Sequence, residues 1–134
     1  MRQKVIQLLK KAKLDPVSVE NPIYPGTPDL NYTCGWLELK WLRQWPTNDA
    51  SVVKLDHFTR EQRAWLKRRW GKGGNVFLLL QCKMDWLLFD GETAAKYVGR
   101  KNRKSLIDIS LYTSRSGLRH NILHLLDRYS LHYT

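Results

Sequence analysis

Asp29, Glu38 and Lys40 are the residues of this 134-residue chain whose types and spacing could do chemistry. Read as a strand, the run Trp36-Leu37-Glu38-Leu39-Lys40-Trp41-Leu42 alternates its side chains between two faces. Leu37, Leu39 and Trp41 then share one face, and Glu38 and Lys40 share the other. A glutamate and a lysine at the centre of an otherwise apolar strand cost burial energy unless solvent, a ligand or a metal meets that face. If Asp29 converges on it, two carboxylates suit a hard cation such as Mg²⁺, which keeps most of its waters and commonly joins protein carboxylates to substrate phosphates. The chemistry implied is phosphodiester hydrolysis. A bound metal lowers the pKa of water and stabilises phosphoryl charge, while Lys40 can orient the nucleophile or neutralise developing negative charge. The commonplace alternative is a Pro-Asp turn followed by a weak Glu-Lys pair on an exposed strand face.

Bringing Asp29 to that face requires a hairpin. Asp29 to Tyr32 and Trp36 to Leu42 read as two strands separated by Thr33, Cys34 and Gly35. A two-residue turn at Thr33-Cys34 sets Asp29 opposite Glu38, and one at Cys34-Gly35 sets it opposite Lys40. A symmetric three-residue turn misaligns all three unless a bulge corrects it. Upstream, Val5, Ile6, Leu8, Leu9 and Ala12 lie at helical spacing over residues 2 to 13. A brief extended stretch at Val17 to Val19 follows. Three prolines and a glycine then impose an irregular, stiff loop over residues 21 to 28.

Downstream, Thr59 reads as a helix N-cap with Gln62 completing a capping box, the helix running to about Trp70 and stopping at Gly71, Gly73 and Gly74. Val76 to Gln81 and Met84 to Asp90 read as strands. The first is apolar throughout, as expected of a central strand covered on both faces. Glu92 to Val98 suggests a short helix, Ser105 to Tyr112 alternates like a strand, and Leu118, Ile122, Leu125, Leu126 and Tyr129 form a helical stripe. This order fits one α/β domain spanning residues 1–134.

Pro28-Asp29, eight intervening residues, then Glu38-Leu39-Lys40 resembles the PD-(D/E)xK nuclease signature. With Gly26-Thr27-Pro28-Asp29-Leu30 before it and Thr59-Arg60-Glu61-Gln62 after it, the pattern resembles more particularly the virus-type replication-repair nuclease (VRR-NUC) group. The matching stretch covers about residues 20–80, which leaves about 100–134 as a DNA-binding or dimerisation elaboration. The resemblance implies a restriction-endonuclease-like fold with a mixed central β-sheet flanked by helices. It also implies Mg²⁺ or Mn²⁺ dependence, DNA cleavage and action as a homodimer on branched DNA, as in a phage Holliday junction resolvase working in the host cytoplasm. By match to the motif, Asp29, Glu38 and the Leu39 backbone carbonyl would hold the metal, and Lys40 would be the catalytic lysine. Many family members carry another acidic residue in or after the first helix. The first helix here has none, and Glu20 is the nearest candidate. Gln62 has two open readings, a place beside the scissile phosphate or simply the capping box.

Charge points to a polyanionic partner. Lysine and arginine number 23 against 12 acidic residues, a formal charge of +11. Arg60, Arg63 and Lys67 fall on one helical face and could track a DNA backbone, and Arg100, Lys101, Arg103 and Lys104 form a second basic run read as a loop or strand approach. The longest apolar run, Val76 to Leu80, is far too short to span a membrane, and the basic N-terminus lacks the apolar core of a signal peptide, so a soluble, cytoplasmic protein is expected. Cys34 and Cys82 form no CxxC pair and read as reduced thiols. His120 and His124 lack a third zinc ligand, and His57 receives no role. The rival to an endonuclease is a basic DNA-binding module without catalysis.

Overall fold

The computed structural model describes residues 1–127. Its centre is one six-stranded sheet in the order β1 (Val17–Ser18), β2 (Leu30–Tyr32), β3 (Gly35–Leu42), β4 (Val76–Cys82), β5 (Asp85–Asp90) and β6 (Tyr112–Ser114). All neighbours are antiparallel except β3 and β4, which run parallel in the register Glu38 to Leu78 and Lys40 to Leu80. A parallel pair needs a crossover, and α2 (Arg60–Gly71) supplies it. The chain is thus a mixed α/β domain, as its pattern predicts. No described helix is long and apolar enough to cross a membrane.

Two apolar layers sandwich the sheet. On one face, Val5 and Leu9 of α1 (Arg2–Lys11) pack with Leu30, Tyr32, Leu37, Phe77, Leu79, Trp86 and Leu88, closed by Ile122 and Leu126. On the other, Trp65 and Leu66 of α2, with α3 (Gly91–Tyr97) and α4 (Arg103–Ile109), cover Val76, Leu78, Leu80, Leu87 and Phe89. The apolar β4 lies between both layers, which is why every position from Val76 to Leu80 is buried.

Three readings of the C-terminal third are corrected. Residues 105 to 112 are not a strand: Arg103–Ile109 is α4, and only Tyr112–Ser114 joins the sheet. The Asn102 side chain accepts from the Ser105 backbone N–H at 2.9 Å and starts the helix, so Leu106 turns inward, whereas strand alternation would have set it on the polar face with Asp108 and Ser110. The basic run is accordingly no free loop. The Lys101 carbonyl accepts from the Val53 N–H, Asn102 bridges to Val52, and Arg103 and Lys104 open α4. The stripe at 118–129 is a short 3₁₀ helix over His120–Leu125, and Tyr129 lies outside the described residues.

Candidate active site

A two-residue turn at Thr33-Cys34 pairs Tyr32 with Gly35 and Leu30 with Leu37. One step further along this register, Asp29 faces Glu38, the first of the alternatives the spacing allowed. Asp29 ends the ladder and uses its side chain in place of backbone: Oδ2 accepts from the Leu39 N–H at 2.8 Å. A strand residue directs its N–H and C=O to the same edge. The Leu39 carbonyl therefore points to the same open edge as the Asp29 carboxylate. The other Asp29 oxygen meets Arg2 at 3.3 Å, and Arg2 also donates to Ser18 Oγ at 2.7 Å. No sequence pattern linked Arg2 to this site, because only tertiary packing brings the start of α1 against Asp29.

Glu38 and Lys40 do not lie on an exposed face. Their relative exposures are 1% and 8%, which removes the commonplace reading of a solvated ion pair. Both project into the layer beneath α2, among Phe58, Leu78 and Leu80. Glu38 Oε2 is buried without a hydrogen-bond partner. Burial first, then the neighbouring Asp29 carboxylate, pushes the Glu38 pKa from 4.5 up to about 9, against the opposing pull of Lys40. Burial likewise lowers the Lys40 pKa, opposed by Glu38 and Asp29. A buried polar atom of this kind costs about 1–3 kcal/mol if nothing satisfies it.

Lys40 is held rather than merely buried. Its Nζ donates to the His57 carbonyl at 2.8 Å and to Gln62 Oε1 at 2.9 Å, and stands 5.3 Å from the Phe58 ring centre. Gln62 thereby fulfils its capping role and a second one. Its Oε1 accepts from the Thr59 N–H at 3.0 Å while its own N–H donates to Thr59 Oγ1 at 3.1 Å, so the same oxygen caps α2 and anchors the lysine. His57 enters through its backbone only, which side-chain chemistry could not signal. Phe58, just before the N-cap, stacks under the Arg63 guanidinium at 4.2 Å, the positions of a hydrophobic staple.

The remaining predicted residues divide. Glu20 is exposed, and no group of three His, Cys, Asp or Glu side chains that could hold a metal occurs among the described residues, so Glu20 does not join Asp29 and Glu38. Two carboxylates and one carbonyl nevertheless fit Mg²⁺, which is usually bound through one or two protein carboxylates with several retained waters. The orphaned Glu38 oxygen is what such a cation would satisfy. Arg60 and Lys67 are exposed, whereas Arg63 donates to the Ala95 carbonyl at 3.0 Å and serves the fold. Arg103 is similarly engaged, bridging to Asp85 at 3.1 Å and lying 4.9 Å from the Trp45 ring centre. Arg100, Lys101 and Lys104 remain exposed. A cleft of about 340 Å³ runs along the end of β3, lined by Leu39, Lys40, Arg43, Lys54 and His57. Comparison with protein-family models, with curated proteins and with solved structures found no match for this chain.

Proposed function

We propose that this chain is a divalent-metal-dependent DNA endonuclease of the PD-(D/E)xK type, with a restriction-endonuclease-like core similar to the VRR-NUC group, acting as a homodimer on branched DNA. The observation that carries the reading is the buried Glu38 carboxyl beside Asp29, one of whose oxygens has no hydrogen-bond partner, in an otherwise apolar layer. Asp29, Glu38 and the Leu39 carbonyl would hold Mg²⁺ or Mn²⁺. When bound, the metal supplies a nucleophilic water of lowered pKa and positive charge for the phosphoryl group. Lys40 is fixed by two acceptors, so its amine meets the developing charge without first reorganising. Arg60, Lys67, Arg100, Lys101 and Lys104 would neutralise phosphates along the backbone, within the excess of +11.

The test is cleavage of labelled four-way junction, flap, linear duplex and single-stranded DNA, with and without Mg²⁺ or Mn²⁺, by wild type and Lys40→Ala. Metal-dependent products that vanish in Lys40→Ala are expected, with paired nicks on the junction if two-fold related sites act together. Binding that weakens steeply with salt while neither metal yields products would overturn the enzyme in favour of a non-catalytic DNA-binding module.

A further inference from the structure

Ile23 and Tyr24 are adjacent, large, apolar and 77% and 66% exposed. Single exposed apolar side chains are ordinary on a protein surface. These two are displayed by a loop built to hold still. Asn21 Oδ1 accepts from both the Ile23 and the Tyr24 N–H at 3.1 Å, and the Tyr24 carbonyl accepts from Thr27 Oγ1 at 2.7 Å. The tip thus satisfies both of its amides and the Tyr24 carbonyl within the loop, while the Ile23 and Tyr24 side chains face out. Pro22, Pro25 and Pro28 fix three backbone torsions in the same segment. The base is closed by the Val19 N–H on the Asp29 carbonyl at 2.8 Å. On its flank, Gly26 adopts φ +91° so close to the start of α2 that a Cβ would stand 2.4 Å from the Glu61 carbonyl. Proline-stiffened and wedged against the helix that carries Gln62, the loop has little entropy left to lose on binding.

Its charge is also distinctive. No lysine or arginine occurs between Lys13 and Lys40, the longest such stretch in a chain of net charge +11. A tip without cations is a poor partner for phosphate but a good one for the π-face of a base. Tyr24 precedes Asp29 by five residues, so the tip lies within about 18 Å of that carboxylate, a few base steps of DNA.

From this juxtaposition we infer that Ile23 and Tyr24 form a rigid apolar wedge that stacks on bases unpaired at a branch point, so that the loop leading into Asp29 selects branched over linear DNA. The inference takes its substrate from the nuclease reading above. Apolar wedges inserted at base steps, and aromatic platforms under single bases, are established ways for proteins to hold distorted DNA.

The experiment uses a four-way junction carrying 2-aminopurine at the branch point and a linear duplex of the same sequence, bound in EDTA and cut in Mg²⁺. Wild type should brighten the 2-aminopurine and prefer the junction. The Ile23→Ala, Tyr24→Ala double variant should do neither, its junction preference falling about tenfold, the loss of one base-stacking contact. Tyr24→Phe should behave as wild type. Thermal melting checks folding, and Tyr24→Ala alone makes the same comparison if the double variant is unfolded. Undiminished fluorescence and preference in the folded alanine variants, with cutting intact, would overturn the wedge and leave the nuclease. Unstacking without cutting in Mg²⁺, or in Mn²⁺ put in its place, would overturn the nuclease and leave the wedge. No DNA binding by wild type would remove both.

Discussion

The two faces of the central sheet are made from the same strands, yet they are filled differently. Beneath α1, β3 contributes Leu37 and Leu39 to a layer whose buried polar side chains, Tyr32, Asn75 and Ser114, are all uncharged, the Tyr32 hydroxyl donating to the Leu126 carbonyl at 2.6 Å. Beneath α2, the same strand contributes Glu38 and Lys40, beside Leu78 and Leu80 that could have packed against leucine equally well. Replacing buried ionic groups with apolar ones of similar volume is often neutral or stabilising. The α2 layer therefore keeps its ionisable groups at a cost to the fold, and that cost marks the candidate site.

The largest effect expected from testing this comparison is on activity. Lys40→Met, which keeps the volume and removes the amine, should lower cleavage by about a thousandfold or more while the protein folds as well as wild type or better. Undiminished cleavage by this variant would detach Lys40 from the chemistry. Next in size is damage to the other face. Leu37→Ala should cost about 2–5 kcal/mol in denaturant unfolding, because it leaves a cavity among tightly packed apolar neighbours.

Glu38→Gln sharpens the contrast through pH. Because the folded pKa of Glu38 is raised above 4.5, its contribution to stability is intact below that pH and lost progressively as pH rises toward about 9. In EDTA, Glu38→Gln should melt near the wild-type temperature at pH 4.5 and increasingly above it from pH 5 to 8.5, a gain on the order of a few kcal/mol at most. Adding Mg²⁺ should raise the wild-type melting temperature and leave the variant unchanged. A gap that stays flat with pH would mean that Glu38 is not carried neutral by the fold.

Smaller effects separate capping from positioning. Thr59→Ala should cost about 1 kcal/mol of stability and little activity, whereas Gln62→Leu should cost a similar amount and also slow cleavage by about tenfold or more, since it frees Lys40. Equal activities in the two variants would reduce Gln62 to a cap. Smallest of all, Arg60→Ala should lower the salt dependence of DNA binding by about one phosphate's worth without changing stability. Arg63→Ala should do the reverse, because it loses its contacts to Phe58 and Ala95.

Much of the site was legible because it is local. A two-residue turn settles whether Asp29 meets Glu38, and alternation settles that Glu38 and Lys40 share a face. The capping box at Thr59 and Gln62 and the central, doubly covered β4 were equally readable from short patterns. The inward burial of the charged face was not, since alternation gives the faces of a strand but not the helix laid across them. Nor were Arg2 and the His57 carbonyl, which arrive through tertiary packing. At 105–112, the alternation of Ile107, Ile109 and Leu111 with Asp108 and Ser110 suggested a strand, but the Asn102 cap decided for helix and turned Leu106 inward instead.

The parallel pairing of β3 with β4 also divides the site by when it can assemble. Asp29, Glu38 and Leu39 belong to one tight hairpin, of a kind that closes in about 1–10 μs. The partners of Lys40 lie at residues 57 and 62, beyond a long connection, and settle only when the crossover docks α2 against the sheet. Such non-local closure is the slower step in folding. The carboxylates therefore need only a local contact to converge, whereas the amine, although on the same hairpin, gains its two acceptors only once the crossover has docked.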